Sequence, residues 1–432
     1  MKKYILIMAG LLLASGTTFA QDKEAIKAQK AAQKEAEALV KKAKTTYETS
    51  IANPQYGRKE TDYAKLDGAL PLIEEAVKNP LLAKDYQTFK TATDIQAQYY
   101  FKIENEAKAD ESAKPKFIEC ASKLVEYAQK ANDNLVADEK MKDEEKKLAH
   151  VQLQNAAINP AIQLLQAAQT YSNAEEENQA DLKLGAKYAT QFLDVMEKSA
   201  LMKDFSNQNL DEWKTYAKAF KAQSILNIKE SSEADIIAAY RDLMPTKYKG
   251  IAYQSLANYY REKDQAKQNQ IFTEGIEALK GDEDQKDLRA SFAILLMQNQ
   301  FQAKDVEGFK KTAELIKTEF ADNENAINAY LMEGQMKFEA QDYEGAKQIF
   351  LDAAKAYPGE SKGLVMAARS AWMKAQAGGS KKADMDEAIK LFKELESKYP
   401  DEPENWGESL YILYNNTQQA ALAAPYKKYY KN

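Results

Sequence analysis

The stretch that decides the fold is NAYLMEGQMKFEAQDYEGAKQIFLDAAKAYPG, from Asn328 to Gly359. It divides into two helical runs around the polar pair Gln341-Asp342. The first is expected over residues 326–340. The second is expected from Tyr343 to Tyr357, where Pro358 and Gly359 stop it, because proline has no amide hydrogen to continue the ladder. Small residues stand where two helices must approach closely: Gly334 on the first, Ala346 and Ala353 on the second. Phe350 follows Ala346 by one turn on the same face and is sized to fill the space beside them. One such hairpin leaves an apolar face uncovered, so it requires neighbours of the same design.

The spacing of Tyr330, Gly334, Ala346, Phe350 and Pro358 resembles a tetratricopeptide (TPR) repeat. Glu333 stands where that family usually has Leu, and Lys337 where it has Tyr, with Phe338 alongside. The resemblance implies an all-α fold, an α-α superhelix of helical hairpins that binds protein or peptide partners, and it implies no chemistry. It places the groove-facing positions of the first helix at Asn328, Leu331, Gln335, Phe338 and Glu339. Some family members clamp a terminal carboxylate with Lys and Asn at such places. Leu331, Gln335 and Glu339 do not repeat that clamp, which leaves a mixed polar and apolar groove suited to an extended segment or a helix.

The second helix recurs. DVEGFKKTAELIKTEFAD begins at Asp305, DYEGAKQIFLDAAKAYPG at Asp342 and DMDEAIKLFKELESKYPD at Asp384. Each opens on an Asp expected to cap its helix, and each closes on an aromatic: Phe320, Tyr357 or Tyr399. The intervals exceed the family's repeat of about 34 residues; the larger surplus is the insertion AGGSKKAD, residues 377–384. First helices are expected over 248–262 and 286–301, with second helices over 265–280 and 306–320. Trp406 and Tyr411 open a tail expected to form a last helix over 405–415. The final Tyr426, Tyr429 and Tyr430 read as a disordered or capping end, with a sticky aromatic-basic end as the other reading.

Before residue 245 the chain is helical by pattern alone. Gly (16) and Pro (10) are scarce in 432 residues, and Ala, Lys, Glu and Gln recur, which favours helix over sheet. Helices are expected over 84–106 and 116–131, the latter ending in the loop Asn132-Asp133-Asn134. One over 143–170 is interrupted at Asn159-Pro160, and others follow over 174–200, 209–228 and 233–243. Pro71 marks either a kink or a new first turn near Gly68. Asn53 to Gly57 reads as a loop. In Tyr99-Tyr100 and Tyr259-Tyr260, one member of each pair is expected in the core and the other outside it.

Residues 1–20, MKKYILIMAGLLLASGTTFA, read as a secretory signal. Lys2 and Lys3 lead an apolar run over 4–14, and Thr18 and Ala20 suit cleavage near Ala20. A retained anchor is the competing reading; a lipid-anchored one lacks its cysteine. The chain is then exported, periplasmic or secreted, with no membrane span in the mature part. Two further regions are expected, a degenerate helical one over 21–245 and a repeat region over 246–432. The net charge of −6 becomes more negative without Lys2 and Lys3, which argues against a nucleic-acid partner.

The residues offer little chemistry. The one cysteine, Cys120, lies in FIECASKLVEYA on an apolar face and reads as core. The one histidine, His150, cannot build a two-histidine metal site. No phosphate or dinucleotide glycine motif occurs, and Asp282-Glu283-Asp284 lacks calcium-loop spacing. The chain therefore reads as a non-enzymatic binding or scaffold protein for protein–protein interaction in the cell envelope, with no cofactor and no metal. The alternatives are a helical glycan- or nutrient-binding protein and a glycan-active enzyme using unmarked carboxylates.

Overall fold

A computed structural model describes residues 19–51, 61–139 and 141–430. Residues 1–18 of the expected signal and the loop Asn53 to Gly57 lie outside the described residues. Among the described residues every regular element is helical. The chain divides into two compact units, Met1–Tyr248 and Lys249–Asn432.

The first unit contains α1 (Phe19–Ile51), a single turn (Tyr63–Leu66), α2 (Leu70–Val77), α3 (Tyr86–Ala109), α4 (Lys114–Ala137), α5 (Asp143–Ser172), α6 (Gln179–Leu193), α7 (Leu210–Asn227) and α8 (Glu233–Leu243). Successive helices pack on each other, and α5 also touches α3 and α7. Phe89, Ile95, Leu124, Leu164 and Phe192 form a continuous buried core. Pro71 stands in the first turn of α2, so the chain restarts there after a break at Gly68.

The helix expected over 174–200 starts only at Gln179, and three further expectations fail here. Helix α4 does not stop at Asn132; it runs to Ala137. Asn132 is fully buried, and its Oδ1 lies 2.7 Å from His150 Nδ1 on α5, so a residue that favours turns is held inside a helix by a tertiary bond. Helix α5 runs through Pro160. Ala157, Ala161 and Leu164 are fully buried around it, and that packing outweighs the lost ladder bond, which costs about 3 kcal/mol. Tyr99 and Tyr100 are both buried, because α3 is covered on two sides. Tyr99 donates to Asp67, while the Tyr100 ring lies 5.0 Å from Phe117 on α4.

The second unit is a run of hairpins: α9 (Lys249–Tyr260) with α10 (Gln265–Ala278), α11 (Lys286–Gln302) with α12 (Val306–Glu319), α13 (Ile327–Glu339) with α14 (Tyr343–Ala356), and α15 (Ser361–Ala377) with α16 (Lys382–Lys398). Helix α17 (Gly407–Asn416) follows. First helices of successive hairpins also touch, α11 on α13 and α13 on α15. This is the packing of an α-α solenoid. The tail is a cap: Tyr426 is buried, and Tyr429 lies 5.3 Å from Trp406.

The tight connection is built twice in the same way. Lys304 and Gln341 take left-handed φ values of 57° and 62°. The next amides, of Asp305 and Asp342, reach back to Gln300 O and Lys337 O, both at 2.9 Å. Each aspartate then caps the following helix, accepting from Gly308 N at 3.0 Å and Gly345 N at 2.9 Å. The end of one helix and the start of the next thus share two residues. Asp384 departs from this plan. Lys381 occupies the cap position of α16, because the insertion lets that helix begin early, and Asp384 lies in its first turn, where a carboxylate favours the helix dipole.

Candidate binding surface of the repeat unit

Gly334 and Phe350 set the distance between α13 and α14. A Cβ on Gly334 would stand 2.6 Å from Phe350 Cζ, closer than atoms approach. Phe350 is fully buried. On its other side Gly363 of α15 allows equally close approach, its Cβ position lying 2.7 Å from Ala354 N. Gly334 makes room for the Phe350 ring, and Gly363 for the α14 backbone itself.

The two departures from the family pattern have local causes. Glu333 pairs with Lys317 of α12, and the Lys317 ammonium lies 4.5 Å from the Tyr330 ring centroid. An ion pair therefore joins these hairpins where Leu would pack. Lys337 bonds Asp342 at 2.8 Å, holding the carboxyl of that cap below the usual carboxylate range. The aromatic moves to Phe338, whose ring meets Tyr343 edge-on at 5.2 Å.

The five residues expected in the groove divide by role. Leu331 and Phe338 are partly buried against the Ala346–Phe350–Ala367 cluster, so packing uses much of their surface. Asn328 and Gln335 are half-buried and Glu339 is exposed. Gln335 donates to Glu339 at 2.8 Å. Glu339 also borders a pocket of about 390 Å³ shared by the ends of α11 and α13 and the start of α12. Its apolar side is Phe301, Val306, Phe309 and Met336. Sequence reading missed Phe301. The signal was present: Phe301 precedes Asp305 as Phe338 precedes Asp342, by four residues in each repeat.

In the first unit a groove of about 930 Å³ separates α4 from α6. Its charges are mostly paired: Lys123 with Glu119 at 3.5 Å, Lys198 with Asp194 at 2.8 Å, Lys183 with Glu230 at 3.0 Å. These carboxylates are held by lysines. Cys120 is buried with Sγ 3.0 Å from Gln96 Nε2, and burial pushes its thiol up to about 11. Asn132, the partner of His150, lies twelve residues from Cys120 on α4, about 18 Å along the axis, so the two do not meet. Among the described residues no cluster of His, Cys, Asp and Glu is placed to hold a metal ion, and no helix is long and apolar enough to cross a membrane.

No family model matches the chain, and no curated protein matches it. Among solved structures it is similar to the P58(IPK) TPR domain, with 14% identity, 90% of this chain and 99% of that one covered, and a TM-score of 0.23. It is also similar to the apo form of RapI, with 10% identity, 90% and 96% covered, and a TM-score of 0.17. The assignment to helical hairpins rests on the chain's own geometry.

Proposed function

We propose that this chain is an exported tetratricopeptide-type scaffold that binds a protein or peptide partner in the cell envelope, without catalysing a reaction. The observation that carries the reading is the contacting row of first helices, α11, α13 and α15. Close-approach glycines Gly334 and Gly363 seat α13 and α15 on the shared second helix α14, and the row leaves Asn328, Gln335 and Glu339 outside the buried core. Such a row presents side chains from several repeats to one extended ligand. Export rests on residues 1–20 alone, and N-terminal sequencing of the envelope fraction should read from Gln21.

The test is capture from an envelope extract by the mature protein, beside an Asn328→Arg/Gln335→Arg variant. A partner held by the native chain and lost from the variant supports the reading. Retention of nothing above control, or equal retention by both, overturns it.

A further inference from the structure

The pocket beside Glu339 differs from its counterpart one repeat later at several places, two of which set its charge and its size. In the α13–α14 hairpin Lys337 supplies a cation to the cap Asp342 at 2.8 Å, and the Tyr343 ring closes against Phe338. In the α11–α12 hairpin the corresponding places hold Gln300 and Val306, five residues before and one after Asp305. The shorter Val306 leaves the volume of about 390 Å³ open. Gln300 Oε1 is buried there without a hydrogen-bond partner. Asp305 uses one oxygen on Gly308 N, and no ion pair of Asp305 occurs among the described residues, Lys304 included. Phe301 and Met336 line the apolar side, and Glu339 adds an exposed carboxylate at the rim. Lys304, the one cation at the rim, is exposed on the turn.

We propose that this pocket anchors a lysine or arginine side chain of the bound partner. The guest supplies what this hairpin lacks and its neighbour carries: a stem against the aromatic and a cation for the acceptors. The methylenes cover Phe301 and Met336. The charged head reaches Asp305 and Glu339, and gains attraction from the Phe301 ring. The inference rests on the binding reading and names the chemistry of its ligand.

The probe is N-acetyl-arginine amide, with N-acetyl-citrulline amide as its uncharged match. The readout is the ¹³C-methyl signal of Met336 in methionine-labelled full-length protein, assigned by Met336→Leu. The arginine probe should shift that signal saturably with a Kd on the order of 1 mM, and the citrulline probe should bind at least fivefold more weakly. Glu339→Gln should weaken the arginine probe severalfold. Gln300→Lys and Val306→Tyr, which copy the next repeat, should each abolish the shift. Equal shifts from both probes, or no shift from arginine, overturn the proposal. Because the probe needs no partner, capture of a partner with Met336 unmoved would leave the binding reading standing and remove this pocket from it.

Discussion

At the scale of single residues, the fold turns on places where one side chain decides whether two helices can meet. Gly334 was legible because its spacing from Phe350 crosses a turn of known length. Glu333 and Lys337 were not, because their partners belong to a neighbouring helix and to a cap. Gly334→Ala tests the first case. The added methyl has no room beside Phe350, so the ring must leave its rotamer or the helices must part, a loss of about 1–3 kcal/mol. Phe350→Leu alone is also destabilising, since it leaves a cavity. The double variant should lose clearly less than the sum of the two, because the smaller side chain makes room for the methyl. Urea midpoints with an unchanged slope would measure this. Strict additivity would mean that the two residues do not share the constraint.

At the scale of elements, the second helices of successive hairpins are joined by a bond that periodicity could not show. Phe320, Tyr357 and Tyr399 all follow the last helical residue with φ near −130°: −128°, −124° and −130°. The Tyr357 hydroxyl donates to Ala321 O at 3.1 Å, and the Tyr399 hydroxyl to Pro358 O at 2.8 Å. In each pair the acceptor follows the equivalent aromatic of the preceding hairpin. Part of the chain's tyrosine content thus serves repeat-to-repeat registration, with the ring packed and the hydroxyl bonded. Tyr357→Phe and Tyr399→Phe should each lower stability by about 0.5–1.5 kcal/mol, and the double variant by roughly their sum, since the bonds lie in separate repeats. No change in the urea midpoint would show that water replaces these bonds at no cost. Helix ends were the least legible elements for a related reason. Asn132 and Pro160 carry strong local signals for a break, and tertiary burial overrides both, which a single chain read in order does not reveal.

At the scale of the whole molecule, helicity was legible throughout, and the repeat pattern only where glycine, alanine and aromatic spacing stayed regular. In the first unit the same hairpin logic is carried by larger, less periodic side chains, many of them buried tyrosines, and these shape its response to high pH. Burial, reinforced by Asp94 and Glu48, raises Tyr47 to about 12. Burial with Glu104 raises Tyr100 to about 12. Burial also raises Tyr127 to about 12, against the opposing pull of Lys123. Each phenol therefore ionises more readily unfolded, near pH 10, than folded. The neutral form belongs to the native state, so its contribution is complete below pH 10 and is lost as pH rises through the folded values near 12. Titration of absorbance at 295 nm, followed beside helical ellipticity, should show exposed tyrosines ionising first. A later group should ionise together with loss of helix between about pH 10 and 12. Tyr100→Phe removes one of these groups and should move the helix loss to higher pH. Complete ionisation of every tyrosine by about pH 11 with ellipticity unchanged would mean that these phenols are open to hydroxide in the native state, contrary to their packing.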